Sequence, residues 1–310
     1  MKKTDVLVLG GTGMLGSMIV DFLTRCEELH VFATAQNVGS AAAHSKKIKN
    51  IEWKPLSIGD EDKTVQQLNA LQKVSWIINA IGIIKPYIHD ENPIEVETAI
   101  RGNSLFPYLL TKMAIQNSAK IIQIATDCVY SGSKGNYIES DKHDALDVYG
   151  KTKSLGEVCN PSVMNLRCSI IGPEHKNYLS LYEWFRKQPI DSTLSGFINH
   201  EWNGVTTLQF AKLCKGIITA GIDVPNLQHI VPEGRISKYE LLKCFAENLG
   251  RRDLTIKSTE ASTKIDRTLS TSNEALNQKL WELAGYVKRP PTVPEMVSEL
   301  AEFDYRFTEA

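Results

Sequence analysis

Short runs rich in valine and isoleucine recur along the chain from residue 5 to residue 233, and longer amphipathic segments separate them. The runs that fit buried strands are 5–10, 28–34, 51–58, 75–82, 119–126, 163–172 and 227–233. The segments between them that fit helices are 14–26, 61–72, 93–117, 147–159 and 206–220. Nearly continuous apolar strands that alternate with helices are typical of a parallel sheet covered on both faces. The pattern therefore predicts a doubly wound α/β domain.

The rest of the chain has a different pattern, dominated by capped helices. The segment 237–250 begins with Ser237 as a helix cap, has Glu240 three residues later, and stops at Gly250. Further helices are predicted at 179–188, 272–285 and 294–303. We expect 1–172 and 204–233 to form a dinucleotide-binding domain. We expect 173–203 and 234–310 to form a smaller mixed α/β lobe that binds substrate.

Composition excludes several classes of function. The formal charge of the 310 residues is −1, so no overall field favours nucleic acid or an anionic membrane. The six cysteines form no C-x-x-C pair and the seven histidines form no H-E-x-x-H pattern, so we expect reduced thiols and no metal site. The sequence has neither a signal peptide nor a run long enough to cross a bilayer, and a cytoplasmic protein is predicted.

A glycine-rich turn follows the first predicted strand. Gly10, Gly13 and Gly16 stand in G-x-x-G-x-x-G spacing between that strand and an apolar helix. In such a turn, glycines permit the tight bend, the approach of backbone N–H groups to a pyrophosphate, and close packing of helix on strand. The strand–turn–helix context predicts a Rossmann-like site for a dinucleotide.

The end of the second predicted strand bears on the choice of cofactor. Sites for NAD usually place an acidic residue there to hold a ribose hydroxyl, but this chain has Ala35, Gln36 and Asn37. A missing carboxylate no longer repels a 2′-phosphate, which favours NADP(H) slightly over NAD(H). Lys46 and Lys47 are candidates to supply positive charge, although a solvated helix face is the simpler interpretation.

A tyrosine and a lysine lie one helical turn apart in the segment DVYGKTKSLGE. Tyr149 and Lys153 share one face of the predicted helix. An ammonium near a phenol favours the phenolate and lowers its pKa, so the pair can donate a proton to a developing oxyanion. Gly150 and Gly156 weaken the same helix, and we interpret them as positions where its backbone passes close to neighbouring structure.

Polar side chains end two of the predicted strands. Thr126 and Asp127 close the strand before the Tyr149 helix, and Asn79 closes the preceding strand. Open α/β sheets bind ligands at the carboxyl ends of their strands, where Thr126 can donate a hydrogen bond to an oxyanion. Asn79 lies in so apolar a run that it must be hydrogen-bonded, whereas Asn103 fits either a helix-interior anchor or a surface residue.

Together these motifs resemble the extended short-chain dehydrogenase/reductases. The glycine turn, the N-A-x-G stretch at Asn79, TDCVYSG from residue 126 and the Tyr149 segment are most similar to dTDP-4-dehydrorhamnose reductases and related nucleotide-sugar 4-ketoreductases. Two positions depart from the pattern, because Ala125 and Ser57 stand where relatives often carry serine and aspartate. Both departures leave the cofactor preference open.

The resemblance implies roles for individual residues. Tyr149 would donate the proton, Lys153 would lower its pKa and hold the nicotinamide ribose, and Thr126 would complete the catalytic set. With Tyr149 and Lys153, the implied cofactor contacts are Gly10, Thr12, Gly13, Met14, Leu15, Gly16, Ala80, Ile81 and Gly82. The implied substrate contacts are Lys85, Asp127, Trp202 and Arg267.

The leading functional hypothesis is an NAD(P)H-dependent reductase of a nucleotide-activated keto-sugar. One alternative is a nucleotide-sugar epimerase that keeps its NAD bound, and another is a non-catalytic regulatory subunit that binds the cofactor. The expected partner is a nucleotide-diphosphate keto-sugar, with no nucleic acid and no membrane, and a homodimer is the candidate assembly. A role in deoxysugar supply for a surface polysaccharide follows from the resemblance only.

Overall fold

A computed structural model describes residues 3–37, 39, 48, 51–174 and 178–307. The strands are β1 (Thr4–Leu9), β2 (Leu29–Ala35), β3 (Glu52–Pro55), β4 (Trp76–Asn79), β5 (Lys120–Thr126), β6 (Val163–Cys168), β7 (Ile170–Ile171), β8 (Thr193–Phe197), β9 (His200–Trp202), β10 (Val205–Thr206), β11 (Leu227–His229), β12 (Ile236–Ser237), β13 (Thr255–Thr259) and β14 (Ile265–Asp266). The helices are α1 (Met14–Leu23), α2 (Glu61–Asn69), α3 (Pro93–Ala99), α4 (Phe106–Gln116), α5 (Val148–Leu155), α6 (Leu181–Arg186), α7 (Thr207–Ala220), α8 (Lys238–Asn248), α9 (Glu274–Leu283) and α10 (Val293–Glu302). Lys46 and Lys47 lie outside the described residues.

The central sheet of the described chain has seven parallel strands in the order β11-β6-β5-β4-β1-β2-β3. Each strand overlaps one of the predicted apolar runs, so the doubly wound fold is confirmed. The order reverses direction between β1 and β4, and open α/β sheets bind ligands at such a switch point. The glycine turn after β1 and the loop after β4 lie together at this point.

Side chains that alternate along β1 supply two separate cores. Val6 and Val8 point into one apolar cluster, whereas Leu7 and Leu9 point into the other. The first cluster includes residues of α1 and α7, and the second includes residues of α2 and α4. Burial on both faces explains why the strand sequences are nearly continuous in apolar residues instead of alternating.

The prediction of a single helix at 93–117 is wrong in one respect, because the middle of this segment is a π-helix and not an α-helix. Residues Ile100–Leu105 form a π-helical segment between α3 and α4. Pro107 explains the interruption, since it has no N–H to donate to the carbonyl of Asn103 and its ring would clash there in a regular helix. The widened turn exposes that carbonyl sideways and buries the Asn103 side chain.

Helix α5 uses the exposed carbonyl as a contact surface. A Cβ on Gly156 would overlap the Asn103 carbonyl oxygen, and a Cβ on Gly150 would lie 2.7 Å from the Cys128 carbonyl oxygen. The two glycines therefore permit α5 to pass against backbone at both of its ends, as expected from the sequence. Gly150 and Gly156 weaken the helix, but they allow α5 to lie close to β5 and to the π-helical segment.

Replacing Gly156 with alanine should destabilise the fold. The backbone angles of Gly156 suit any residue, so the cost is the overlap with Asn103 alone. We expect Gly156→Ala to lower the free energy of unfolding by roughly 1–3 kcal/mol, measured by urea denaturation.

Gly59→Ala is the matched control, because no described atom beyond the two adjacent residues lies within 4 Å of the added Cβ. A loss of stability at residue 156 no larger than at residue 59 would show that α5 can move away from the π-helical segment without cost.

The remaining strands form small sheets beside the carboxyl edge. They are the three-stranded sheet β12-β9-β14 and the pairs β13-β8 and β10-β7. The last described residues return to α1, where the Tyr305 hydroxyl lies 2.6 Å from the Ser17 hydroxyl and Phe307 is fully buried. This end of the chain thus packs on the dinucleotide-binding half, although the predicted boundaries place it in the substrate lobe. Within the described residues no helix has both the length and the apolarity needed to span a bilayer.

Candidate active site

The glycine turn is held by the end of β2. The Gly10 N–H donates to the Thr34 hydroxyl at 3.0 Å, and the Gly11 N–H donates to the Thr34 carbonyl at 2.9 Å. Gly10 has a φ of +74°, which favours glycine, and a Cβ on Gly16 would overlap the Gly10 carbonyl. Gly10 and Gly16 are therefore required by the protein's own packing.

Gly13 differs from these two glycines. It has φ −85°, and an added Cβ would meet the Gly10 carbonyl oxygen at an ordinary 3.5 Å. It is exposed and caps α1 without a side-chain hydrogen bond, so the first N–H groups of the helix are open to a ligand. Among the described residues, the Gly10 carbonyl oxygen is the one atom within 4 Å of an added Cβ outside the neighbouring chain, so there is room in front of Gly13. The turn thus fits the pyrophosphate of a dinucleotide on a positive helix end.

The other implied cofactor residues surround this turn. Thr12, Leu15 and Gly16 are buried, Met14 opens α1, and Ala80 and Ile81 are partly exposed, with Gly82 exposed. The Asn79 amide donates to Gln123 at 3.2 Å and its carbonyl accepts from the Ile81 N–H at 3.2 Å. The expected hydrogen bonding of Asn79 is confirmed.

Asn103 is a buried anchor, which resolves the two interpretations of this residue. Its side chain exchanges two hydrogen bonds with the backbone of Ile83, at 2.8 and 2.9 Å. It also donates to the Thr152 hydroxyl on α5 at 3.2 Å. One amide therefore ties the loop after β4 to the helix that carries Tyr149.

Thr126 and Tyr149 meet at the carboxyl end of β5. The Thr126 side chain caps the turn that follows, accepting from the Cys128 N–H at 3.1 Å, and it lies close enough to the Tyr149 phenol to act on its pKa. Burial raises the pKa of Tyr149 above its ordinary value and the nearby Cys128 thiol adds to this, whereas Thr126 opposes it. At neutral pH the phenol keeps its proton, which is the form that a proton donor needs.

Lys153 lies on the same face as Tyr149 but is directed to the main chain of β5. Its ammonium donates to the Ile124 carbonyl at 3.0 Å. Burial lowers the pKa of Lys153, and the charge of Glu157 opposes that shift. The net pKa of Tyr149 is raised because desolvation of the phenolate outweighs the other effects, and the lowering of this pKa by Lys153 stays a prediction. The role of Lys153 at a nicotinamide ribose stays a prediction.

A buried ionic network lies behind Lys153, and the sequence analysis did not identify it. Arg167 on β6 is fully buried and is paired with Glu157 by two hydrogen bonds, one of them at 3.1 Å. Its remaining donors reach the Tyr130 hydroxyl at 2.6 Å, His229 Nε2 at 2.9 Å and His143 Nε2 at 2.7 Å. A buried guanidinium is tolerated when its donors are all used in this way.

Both imidazoles of this network are neutral. Because each accepts from Arg167 through Nε2, each carries its proton on Nδ1, which faces the Ser270 carbonyl in His229 and the Ser154 hydroxyl in His143. Burial and the charge of Arg167 lower the pKa of His229 to about 4. The neutral form of His229 is therefore part of the folded structure.

Acid should destabilise the protein through His229. The unfolded chain takes up a proton near pH 6.5, whereas the folded chain resists it until about pH 4, so stability falls as the pH falls through this window. Between pH 7 and pH 5 we expect wild type to lose roughly 2 kcal/mol more unfolding free energy than the His229→Gln variant.

Urea denaturation at the two pH values measures this difference. His200→Gln serves as the control, because His200 lies near the surface, where it contacts the Thr263 carbonyl and the Phe197 ring. Identical pH dependence in wild type and in both variants would contradict the assignment of a neutral His229.

The residues implied as substrate contacts differ in their surroundings. Lys85 is mostly exposed and forms an ion pair at 2.8 Å with Asp147, the cap of α5. Asp127 is buried beside Thr126, and burial raises its pKa. Arg267 donates from Nε to the Tyr130 carbonyl at 2.8 Å. Trp202 is only 5% exposed and donates to Ser169 at 2.8 Å, so it supports the site instead of presenting an open ring.

Lys238, at the first position of α8, is a further residue of this region that sequence reasoning missed. Its ammonium lies 5.8 Å from the centre of the Trp202 ring, and its charge acts on Asp127. The motif ISKYELL gave a clear signal for a helix start but none for a side chain directed at the site.

The fold and this site define an extended short-chain dehydrogenase/reductase, with a dinucleotide turn beside a Thr–Tyr–Lys set. The chain belongs to the family described as the RmlD substrate binding domain, which it matches over residues 4–303.

Individual relatives agree with this assignment. A dTDP-4-dehydrorhamnose reductase from Aggregatibacter actinomycetemcomitans is 27% identical over 177 residues, which are 56% of this chain and 53% of that protein. The chain thus aligns with about half the length of this curated relative.

Solved structures share the fold over almost the whole chain. A dTDP-4-dehydrorhamnose reductase from Bacillus anthracis, in complex with NADP, has a TM-score of 0.71 at 17% identity and covers 96% of this chain and 98% of its own. A UDP-glucuronic acid 4-epimerase from Bacillus cereus, in complex with NAD and a substrate analogue, has a TM-score of 0.71 at 15% identity, covering 98% and 99%. Reductase and epimerase folds are equally similar to this chain.

Proposed function

We propose that this protein is an NAD(P)H-dependent reductase of a nucleotide-activated keto-sugar. The observation that carries the proposal is the contact of Thr126 with the protonated Tyr149 phenol at the carboxyl edge of β5. This edge adjoins the switch point where the glycine turn opens. The sequence similarity to a dTDP-4-dehydrorhamnose reductase supports the choice of substrate class.

In the proposed reaction the protein supplies the proton and orients the ketone. Tyr149 donates its phenolic proton to the carbonyl oxygen of the sugar, and Thr126 donates a hydrogen bond to the same oxygen as negative charge develops. A bound nicotinamide dinucleotide supplies the hydride. Lys153 is positioned on the same helix face to hold the nicotinamide ribose and, once it reaches the phenol, to favour proton release.

The residues present fit a dinucleotide cofactor, with the open position at Gly13 as the main support. NADPH is favoured slightly, because β2 ends in Ala35 and the exposed Gln36 without a carboxylate. The NADP found in the Bacillus anthracis reductase agrees with this preference. The NAD of the Bacillus cereus epimerase keeps NADH as the alternative.

The wider setting is proposed on the same grounds. Residues 173–203 and 234–310 would form the substrate lobe, and a nucleotide-diphosphate keto-sugar would lie between that lobe and the carboxyl edge of the sheet. A cytoplasmic homodimer that contributes to deoxysugar synthesis for a surface polysaccharide is the context we propose.

Removing the Tyr149 hydroxyl should abolish most activity without unfolding the protein. We expect Tyr149→Phe to lower kcat about 10²- to 10⁴-fold, because general-acid catalysis contributes about that factor. Steady-state oxidation of NADPH with a keto-sugar nucleotide measures the effect.

Tyr108→Phe is the matched control, since Tyr108 is 41% exposed on α4. A Tyr149→Phe variant with turnover within a few-fold of wild type, and with an unchanged unfolding curve, would refute the proton-donor role.

A panel of keto-sugar nucleotides with NADH and NADPH separates the candidate functions. A reductase consumes one equivalent of reduced cofactor per sugar, which is the result we expect. An epimerase converts its sugar with no net change in absorbance at 340 nm. A regulatory subunit binds dinucleotide but converts none of the panel, and either of these last results would overturn the proposal.

A further inference from the structure

The segment after α10, residues 303–307, runs back along helix α1 and is fixed there by ion pairs. The Asp21 carboxylate on α1 is fully buried and accepts from the N–H and the Nε of Arg306, each at 2.7 Å. Arg25 donates to the same carboxylate at 2.8 Å and lies over the Phe303 ring. Hydrogen bonds between ionised groups are short and strong, so this carboxylate holds the segment in one position on the helix.

The ion pairs place a tyrosine beside the first turn of α1. Tyr305 is 6% exposed, and its ring packs against the buried Phe307 with the centroids 5.8 Å apart. Its hydroxyl lies 2.6 Å from the hydroxyl of Ser17, which is also buried. Burial raises the pKa of Tyr305, and nearby carboxylates act in the same direction. The phenol therefore keeps its proton and can donate a hydrogen bond.

A chain of hydrogen bonds runs from Tyr305 to the glycine turn. The Ser17 hydroxyl donates to the Gly13 carbonyl at 2.6 Å, and the Ser17 N–H donates to the same carbonyl at 2.9 Å. The contact of this hydroxyl with the Met14 carbonyl is longer, at 3.3 Å. A serine hydroxyl has a single proton, so the bond between Ser17 and Tyr305 uses the phenolic proton. Donation thus runs from Tyr305 to Ser17 and from Ser17 to Gly13.

The Gly13 carbonyl belongs to the peptide group at the open start of α1. In a trans peptide the C=O and the N–H point in opposite directions, so the Met14 N–H points out of the helix start. No side chain caps this end of the helix. Successive hydrogen bonds polarise one another, so donation to the Gly13 carbonyl makes the Met14 N–H a stronger donor. The same bonds fix the direction in which this N–H points.

We propose that Ser17 and Tyr305 are positioning residues for the dinucleotide, because their hydrogen bonds orient and polarise the Gly13–Met14 peptide that faces its pyrophosphate. The inference rests on the proposed function for the presence of a dinucleotide at the glycine turn. It assigns to residues 303–307 a part in cofactor affinity, although 288 positions separate Ser17 from Tyr305. Both side chains act through the backbone of the turn.

Tyr305→Phe and Tyr286→Phe provide a matched pair of variants for the test. Tyr305→Phe removes the donor of the chain and keeps the ring. The Tyr286 hydroxyl accepts from Gln209 on α7 at 2.9 Å and is bonded to Glu299 on α10, and these bonds do not include the glycine turn. Urea denaturation gives the stability that each variant loses. Titration calorimetry of the folded, full-length variants gives the Kd of NADPH and of NADH.

We expect Tyr305→Phe to raise the Kd of the dinucleotide about 3- to 10-fold, which is the effect of one ordinary hydrogen bond. Tyr286→Phe should lose stability and bind the dinucleotide as wild type does. Ser17→Ala should weaken binding at least as much as Tyr305→Phe. Adding Tyr305→Phe to Ser17→Ala should then leave the Kd unchanged, because the chain is already broken.

Three results would overturn the positioning role. They are a Kd in Tyr305→Phe equal to that of wild type, an equal loss of affinity in Tyr305→Phe and Tyr286→Phe, and additive losses in the double variant with Ser17→Ala. The last two would show that the segment 303–307 supports the fold without acting through the glycine turn.

The readouts separate this inference from the proposed function. In an active enzyme, Tyr305→Phe should raise KM for NADPH while kcat and KM for the sugar nucleotide stay the same. A wild-type protein that binds NADPH, shows the expected losses in the variants and reduces no keto-sugar nucleotide would refute the reductase assignment and keep the positioning role. An active wild type with the same cofactor Kd as Tyr305→Phe would refute the positioning role alone.

Discussion

The contact between Gly156 and the carbonyl of Asn103 is the constraint on which the candidate site depends. Because Pro107 cannot donate to that carbonyl, the helix widens there, and the absence of a side chain at residue 156 lets α5 approach it. The same asparagine holds the loop after β4 and hydrogen-bonds Thr152. One polar residue therefore sets the distance between the cofactor-side loop and the Tyr149 helix.

Burial governs the electrostatics around this contact. It raises the pKa of Tyr149 and of Asp127, and it lowers the pKa of Lys153. Each shift favours the uncharged form, as desolvation does. The site thus keeps the Tyr149 phenol protonated. Any charge that would favour release of this proton must come from groups that bound ligands bring close to the phenol.

The sequence was sufficient to predict the fold and the candidate site residues that lie on regular helices or in the glycine turn. Valine-rich runs located all the strands of the central sheet, and the glycine spacing located the turn. Tyr149 and Lys153 were found because helical spacing is local. The π-helical segment was missed because its cause, a proline four residues after Asn103, is compatible with a simple kink until the partner helix is known. The domain boundaries and the roles of the site residues stay predictions.

Residues that act through long-range contacts could not be found in this way. Arg167 stands in a run that resembles any buried strand, and only the fold shows that its guanidinium meets Glu157, Tyr130 and two histidines.

Lys238 was hidden for a related reason. At the start of an amphipathic helix a lysine is normally solvated, and only the pairing of β9 with β12 and β14 directs this one toward Asp127. Lys238 and Arg267 lie on the side of the small sheet, and the start of α1, which has no side-chain cap, lies on the other side. Both regions favour anions, and the carboxyl edge of β5 lies between them. A neutral carbonyl flanked by anionic groups, as in a sugar nucleotide beside a dinucleotide, matches that distribution of charge.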